Sequence, residues 1–353
     1  MSVREFINAI PKVELNIQLT GALNRDTLLM VANQNGIPSE IKHFETWVEL
    51  LETPDYERLD EIAEVTGKWV KYHEDIARVV YDLGVFLSKQ NIRYAEVSIA
   101  PSYFLDNDYM GIETFIEALN DGRDKALRGW NVDMSWVFCV PRDNPRVGDD
   151  VARWATGATA RRGNVIGLGL IGQEDAQPVG QFKRAFNTAR KKDLFTVAHA
   201  GSTIGAEGIV PAVEELEPHR LTDTWGLHED KATRDLVVDS ELLVVVSLSR
   251  AEKLGFVDTV ADYPLQTLFD DNVNIVLSSG MPSLYQTTLT DEYVIAHEQC
   301  GLEIGEIVEL IRRSIQSSFM DDDAKADLLK TFDSDVEMAR QQYLQPTEES
   351  AED

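Results

Sequence analysis

Apolar residues recur in eight short runs along the chain, at 13–19, 93–101, 133–140, 165–172, 195–201, 220–226, 241–248 and 274–280. Several are β-branched and nearly continuous, the pattern of strands buried on both faces. Between the runs, apolar residues fall three and four apart. Ile112, Phe115, Ile116 and Leu119 are one such set, and Leu302, Ile304, Ile307, Leu310 and Ile311 belong to another. That spacing lays an apolar stripe along one side of a helix. Strand and helix alternating eight times predict an α/β fold, the (β/α)8 TIM barrel. The first run carries two polar exceptions. Asn16 and Gln18 alternate with Leu15, Ile17 and Leu19, so period two places both amides on one side of the strand. Inward amides on a first strand indicate a site rather than core.

The connection after this strand is long, spanning 24–91. It predicts helices over 25–34, 45–51 and 69–89. An insertion of that size acts either as a lid over the barrel mouth or as a buttress on its side. Residues 291–344 read as three further helices. The expected organisation is a single barrel domain over 1–344, with the helical insertion at 24–91. An acidic disordered tail is expected over 345–353.

Composition narrows the function. The chain has 353 residues, is 43% hydrophobic and carries a formal net charge of −28. Such a surface repels phosphate backbones and anionic membranes, which excludes nucleic acid and membrane as partners. No apolar run reaches spanning length, and the first residues lack the apolar stretch of a signal peptide, so the expectation is a cytoplasmic protein. Cys139 and Cys300 are the only cysteines and share no Cys-x-x-Cys motif. They read as two buried thiols, not as a disulfide or a thiolate metal site.

In a barrel, chemistry comes from the C-terminal strand ends. Strand four ends in Gly172-Gln173-Glu174, strand five in His199-Ala200-Gly201-Ser202 and strand six in Thr222-Asp223-Thr224. Strand seven ends in Ser247-Leu248-Ser249-Arg250 and strand eight in Ser278-Ser279-Gly280-Met281. Several stretches in order resemble the adenosine deaminase family of the amidohydrolase superfamily. Pro11-Lys12-Val13-Glu14-Leu15-Asn16-Ile17-Gln18-Leu19-Thr20-Gly21 is similar to its P-K-x-E-L-H-x-H-L-D-G opening. Residues 95–101 resemble its E-V-R-x-x-P strand, and 167–174 its G-x-D-L-A-G-x-E segment with Gly169 in place of Asp. The stretch at His199 resembles H-A-G-E, and Leu289-Thr290-Asp291-Glu292-Tyr293 resembles L-T-x-E-Y.

The resemblance implies a zinc site made of two His on strand one, a His on strand five and an Asp on strand eight. Those positions hold Asn16, Gln18, His199 and Gly280. The family's general acid corresponds to Ser202, its second His to Asp223 and a purine-contacting Asp to Met281. Neutral amides and a glycine make a poor Zn²⁺ donor set. The expectation is therefore a protein without a zinc cofactor that has lost adenosine deamination. It would bind a purine nucleoside, nucleotide or related small heterocycle through Asn16, Gln18, Gly172, Glu174, His199 and Asp223, with no fixed cation in the site. In this reading His199 is either a ligand contact or a barrel residue bonded to a neighbour such as Asp223, which would raise its pKa. The alternatives are a metal-independent hydrolase or deaminase using His199, Asp223 or Glu174, and a scaffold acting in a homo-oligomer or with a protein partner. A Ser-His-Asp arrangement from Ser202 or Ser249, His199 and Asp223 would be one form of the hydrolase.

Overall fold

The computed structural model describes residues 2–105 and 109–344. The expected tail at 345–353 lies outside the described residues. Eight parallel strands follow one another in sequence order: β1 (Lys12–Gln18), β2 (Ile92–Ile99), β3 (Asp133–Pro141), β4 (Val165–Ile171), β5 (Phe195–His199), β6 (Arg220–Thr222), β7 (Leu243–Val246) and β8 (Ile275–Leu277). Hydrogen bonds also join the two ends of the sheet. The Gln18 N–H donates to the Gly280 carbonyl at 2.8 Å, and Ser278 Oγ donates to the Asn16 carbonyl at 3.0 Å. Glu14, fully buried on β1, accepts from the Ser279 N–H at 3.0 Å and from its Oγ at 2.6 Å. The sheet is thus a (β/α)8 barrel.

Each strand lies where an apolar run predicts it. The register of β1 against β2 shifts between Glu14 and Ile17, so one extra β1 residue sits beside the two amides. Such bulges bend a strand and re-aim its side chains. In the first connection the predicted helices appear as Arg25–Gln34, Phe44–Glu52 and His73–Ser88. The last starts later than its apolar pattern because Asp75 accepts from the backbone N–H groups of Lys71 and Tyr72 and so fixes the helix entry. A further helix, Leu59–Gly67, has no counterpart among the predicted ones. The C-terminal part forms Leu289–Glu298, Ile304–Gln316 and Asp322–Ala339, the three expected helices. No helix among the described residues is long and apolar enough to cross a membrane.

The lumen is packed in layers. At its base, Arg220 of β6 pairs with Glu96 of β2, both fully buried. Arg220 also donates to the Leu15 carbonyl at 2.9 Å and to the Ser317 carbonyl at 3.1 Å, and lies over the Phe319 ring at 4.0 Å. Phe319 stacks on Phe195 at 3.9 Å, so the turn between the last two helices closes the base. Above it, Val137, Cys139 and Val197 form a small apolar cluster. Val197 and His199 share a face of β5, which carries His199 toward the mouth. A Cβ at Gly169 would stand 2.6 Å from Cys139 Sγ, so the thiol fills the space a side chain there would need. Burial pushes both thiols up to about 12, leaving them unreactive as nucleophiles.

The base pair yields a stability prediction. Glu96→Ala leaves Arg220 buried without its carboxylate, and denaturant unfolding should show a loss of about 3–5 kcal/mol. Arg220→Met combined with Glu96→Leu should recover most of it. A single variant as stable as the unsubstituted protein would show that this pair does not hold the base.

Candidate functional site

The C-terminal strand ends surround a cavity of about 800 Å³. His199 is buried at the end of β5, and its Nε2 is 2.9 Å from Ser202 Oγ. Burial lowers its pKa well below the ordinary value, and the Arg250 and Arg142 guanidinium groups add to that against a backbone hydrogen bond with Gly172. His199 is therefore neutral at neutral pH. Arg142 donates to the His199 carbonyl at 3.1 Å, which fixes the strand end.

Glu174 belongs to the framework of this corner. Its carboxylate accepts from the backbone N–H groups of Gly201 at 2.8 Å, Ser202 at 2.9 Å and Ile204 at 3.1 Å. Both oxygens are engaged, and Glu174 does not line the cavity.

Asp223 sits at a positive φ of 55° just after β6, where it turns its buried carboxylate toward β7. Its partner is Arg250 Nη1. This corrects two expectations. Asp223 is not joined to His199, whose pKa falls rather than rises, and the site does contain a fixed cation. Burial opposes the Arg250 charge, but Asp223, Tyr285 and Asp60 together raise its pKa. Burial raises the pKa of Asp223 in turn, against the pull of Arg250. The guanidinium lies 5.4 Å from the Trp225 ring and 5.7 Å from the Tyr285 ring.

The first connection covers one side of the mouth. Leu59 and Ile62 bury against Met281, Leu284 and Tyr285. A Cβ at Gly21 would stand 2.2 Å from Met281 Cγ, so Met281 packs directly on the turn after β1. Asp60, half-buried, accepts from the Gln173 N–H at 3.0 Å through Oδ2. Gly172, at a φ of 99°, lets it approach, since a Cβ there would meet Asp60 Oδ2 at 3.3 Å. The Leu59–Gly67 part of the connection thus covers the mouth on the β8–β1 side, its long helix His73–Ser88 packs on the barrel side against β2 and the helix Ile112–Trp130, and the cavity stays open between β4 and β7.

Of the six expected contact residues, Gly172 and His199 line the cavity. Asn16, Gln18, Glu174 and Asp223 are buried but do not line it, nor does Gly280. Arg250, Asp60 and Trp225 do line it, and sequence reasoning assigned them no role. A signal existed for Arg250, a cation closing a strand end. None existed for Asp60, whose helix was not foreseen. The Ser-His-Asp arrangement is incomplete. Ser202 and His199 meet, but Asp223 faces Arg250, and the backbone donors of the turn are held by Glu174. Ser249 bonds Thr287 Oγ1 at 3.3 Å instead.

The sequence profile described as "Adenosine deaminase" matches residues 11–335. The chain belongs to the adenosine deaminase family. It is 24% identical over 335 residues to the aminodeoxyfutalosine deaminase of Streptomyces avermitilis, covering 94% of this chain and 93% of the relative. The adenine deaminase of Arthrobacter aurescens has the same fold, with a TM-score of 0.84 at 22% identity over 93% of this chain and 100% of that one. Arabidopsis ADAL complexed with IMP gives 0.84 at 20% identity, over 95% and 99%.

In this family member the shared motifs do structural work. Lys12, fully buried, donates to the carbonyls of Ile7 at 2.6 Å and Ile10 at 2.9 Å, which ties down the first helix. Glu14 joins β1 to the loop after β8. Glu292 accepts from the Leu248 N–H at 2.6 Å and from Thr287 Oγ1 at 2.9 Å, and so sets the turn that presents Arg250.

Burial raises the pKa of Glu292 to about 7 against its hydrogen bonds to Ser249, Thr287 and Leu248. A carboxyl with a raised folded pKa holds its proton more tightly in the folded state. Its contribution is full below the unfolded value and is lost as pH rises through about 7. The melting temperature should therefore fall from about pH 5 to about pH 8 more steeply in the unsubstituted protein than in Glu292→Gln. Other buried carboxyls are common to both proteins, so parallel profiles would show that Glu292 does not titrate in this range.

Proposed function

We propose that the protein is a non-catalytic member of the adenosine deaminase family that binds an uncharged purine base, nucleoside or related heterocycle without zinc. The observation that carries this reading is the donor set around His199, where the one nearby carboxylate after β6, Asp223, is committed to Arg250. Asn16 and Gln18 offer neutral amides, Gly280 offers no side chain, and His199 Nε2 is bonded to Ser202. The residues do not fit a zinc ion.

Deamination by water also needs an acid and a group to hold the attacking water. Ser202 is a poor acid, and Asp223 is turned to Arg250. A purine-type ligand is supported by the cavity volume, by its Trp225 and Phe256 wall, and by relatives named for adenine or complexed with IMP. A pocket of this size suits a small molecule.

Three measurements on the purified protein test the reading. Elemental analysis should find well under one zinc per chain, and adenosine should not be converted to inosine above background. Calorimetry in EDTA should give saturable binding of at least one purine base or nucleoside, with a Kd between about 1 μM and about 1 mM. Stoichiometric zinc that is lost in His199→Ala would reject it, as would turnover surviving EDTA. Absence of binding across the whole panel would leave a scaffold.

A further inference from the structure

Arg250 has one donor directed at the cavity. Its Nη1 is bonded to Asp223, and its Nε is sealed from solvent without a partner. Nη2 donates to none of the described residues and is not among the sealed, unpartnered atoms, so it is the nitrogen that faces the cavity Arg250 lines. Asp60 is its counterpart on the lid. Oδ2 accepts from Gln173, and Oδ1 has no bond to a described residue and is not sealed. The two side chains feel each other's charge but form no direct ion pair. Arg250 and Asp60 thus line one cavity without pairing, together with Trp225 and Phe256, whose ring centroids are 4.5 Å apart.

The surrounding charge limits what enters. Glu57, Asp60 and Asp175 line the cavity, with Asp223 behind, against Arg250 and Lys253. Carboxylates outnumber cations, so the local field disfavours a phosphate.

We propose that Arg250 and Asp60 together read the lactam edge of an uncharged oxo-heterocycle, with its ring carbonyl on Arg250 Nη2 and the adjacent ring N–H on Asp60 Oδ1. This deepens the purine-binding reading above and rests on it. An amino-heterocycle inverts this edge: in the same pose its exocyclic amine faces the Arg250 donor and its bare ring nitrogen faces the Asp60 carboxylate. Both contacts are then mismatched, whereas the oxo form makes both bonds to charged partners.

The test is calorimetry in EDTA with hypoxanthine and inosine, adenine and adenosine, and inosine 5′-monophosphate. The oxo compounds should bind about tenfold or more tightly than their amino counterparts. Adding the phosphate should weaken binding. In Asp60→Ala, a half-buried position, the oxo preference should shrink to within about threefold while the melting curve stays cooperative. Arg250→Met should abolish the preference, and Asp60→Ala keeps the test decisive should that variant not fold. Equal or tighter binding of the amino compounds, or tighter binding of the monophosphate, would overturn this inference and leave purine binding intact. Failure of every compound to bind would overturn both.

Discussion

The buried ion pair between Arg220 and Glu96 spans the barrel from β6 to β2 and anchors much of what is built around it. A closed parallel sheet has no room for water at its base, so a charge there must be paired and bonded. Arg220 meets this by also binding the Leu15 and Ser317 carbonyls, while Glu96 Oε1 accepts from the Phe319 N–H. One pair thereby joins three parts of the chain, β1, the base of the sheet and the turn before the last helix.

The same solution recurs at the opposite end with a different consequence. Arg250 and Asp223 are also a buried guanidinium–carboxylate pair, but only Nη1 is committed, and the group borders a cavity. A pair at the base closes the lumen, whereas a pair at the mouth offers its remaining donor to whatever enters. Burial at that mouth, with the Arg250 guanidinium adding to it, leaves His199 neutral.

Several residues that carry the resemblance to the adenosine deaminases have structural roles in this chain. Lys12, Glu14, Glu174 and Glu292 all hold backbone groups at helix ends, at the sheet seam or at strand turns. Losing any one would strand buried donors or acceptors, which is costly whether or not a reaction is performed.

The eight strands and several of the helices were legible because burial of a parallel strand or of a helix face writes its period into nearby residues. The helix Leu59–Gly67 was not, since its apolar residues face Met281 and Tyr285, more than two hundred positions away. Glu174 was expected to contact the ligand because it matches a position of the family resemblance near the substrate region. Only the fold shows three amide donors converging on it. The sequence by itself determined the barrel, the order of its elements and the residue types at each strand end. The tertiary structure alone decided which of those side chains pair with one another. Partner choice among buried charges depends on through-space distance and on solvent exclusion. Asp223 could have met His199 on the adjacent β5 and instead meets Arg250 beyond the equally adjacent β7, toward which its positive φ of 55° turns the carboxylate.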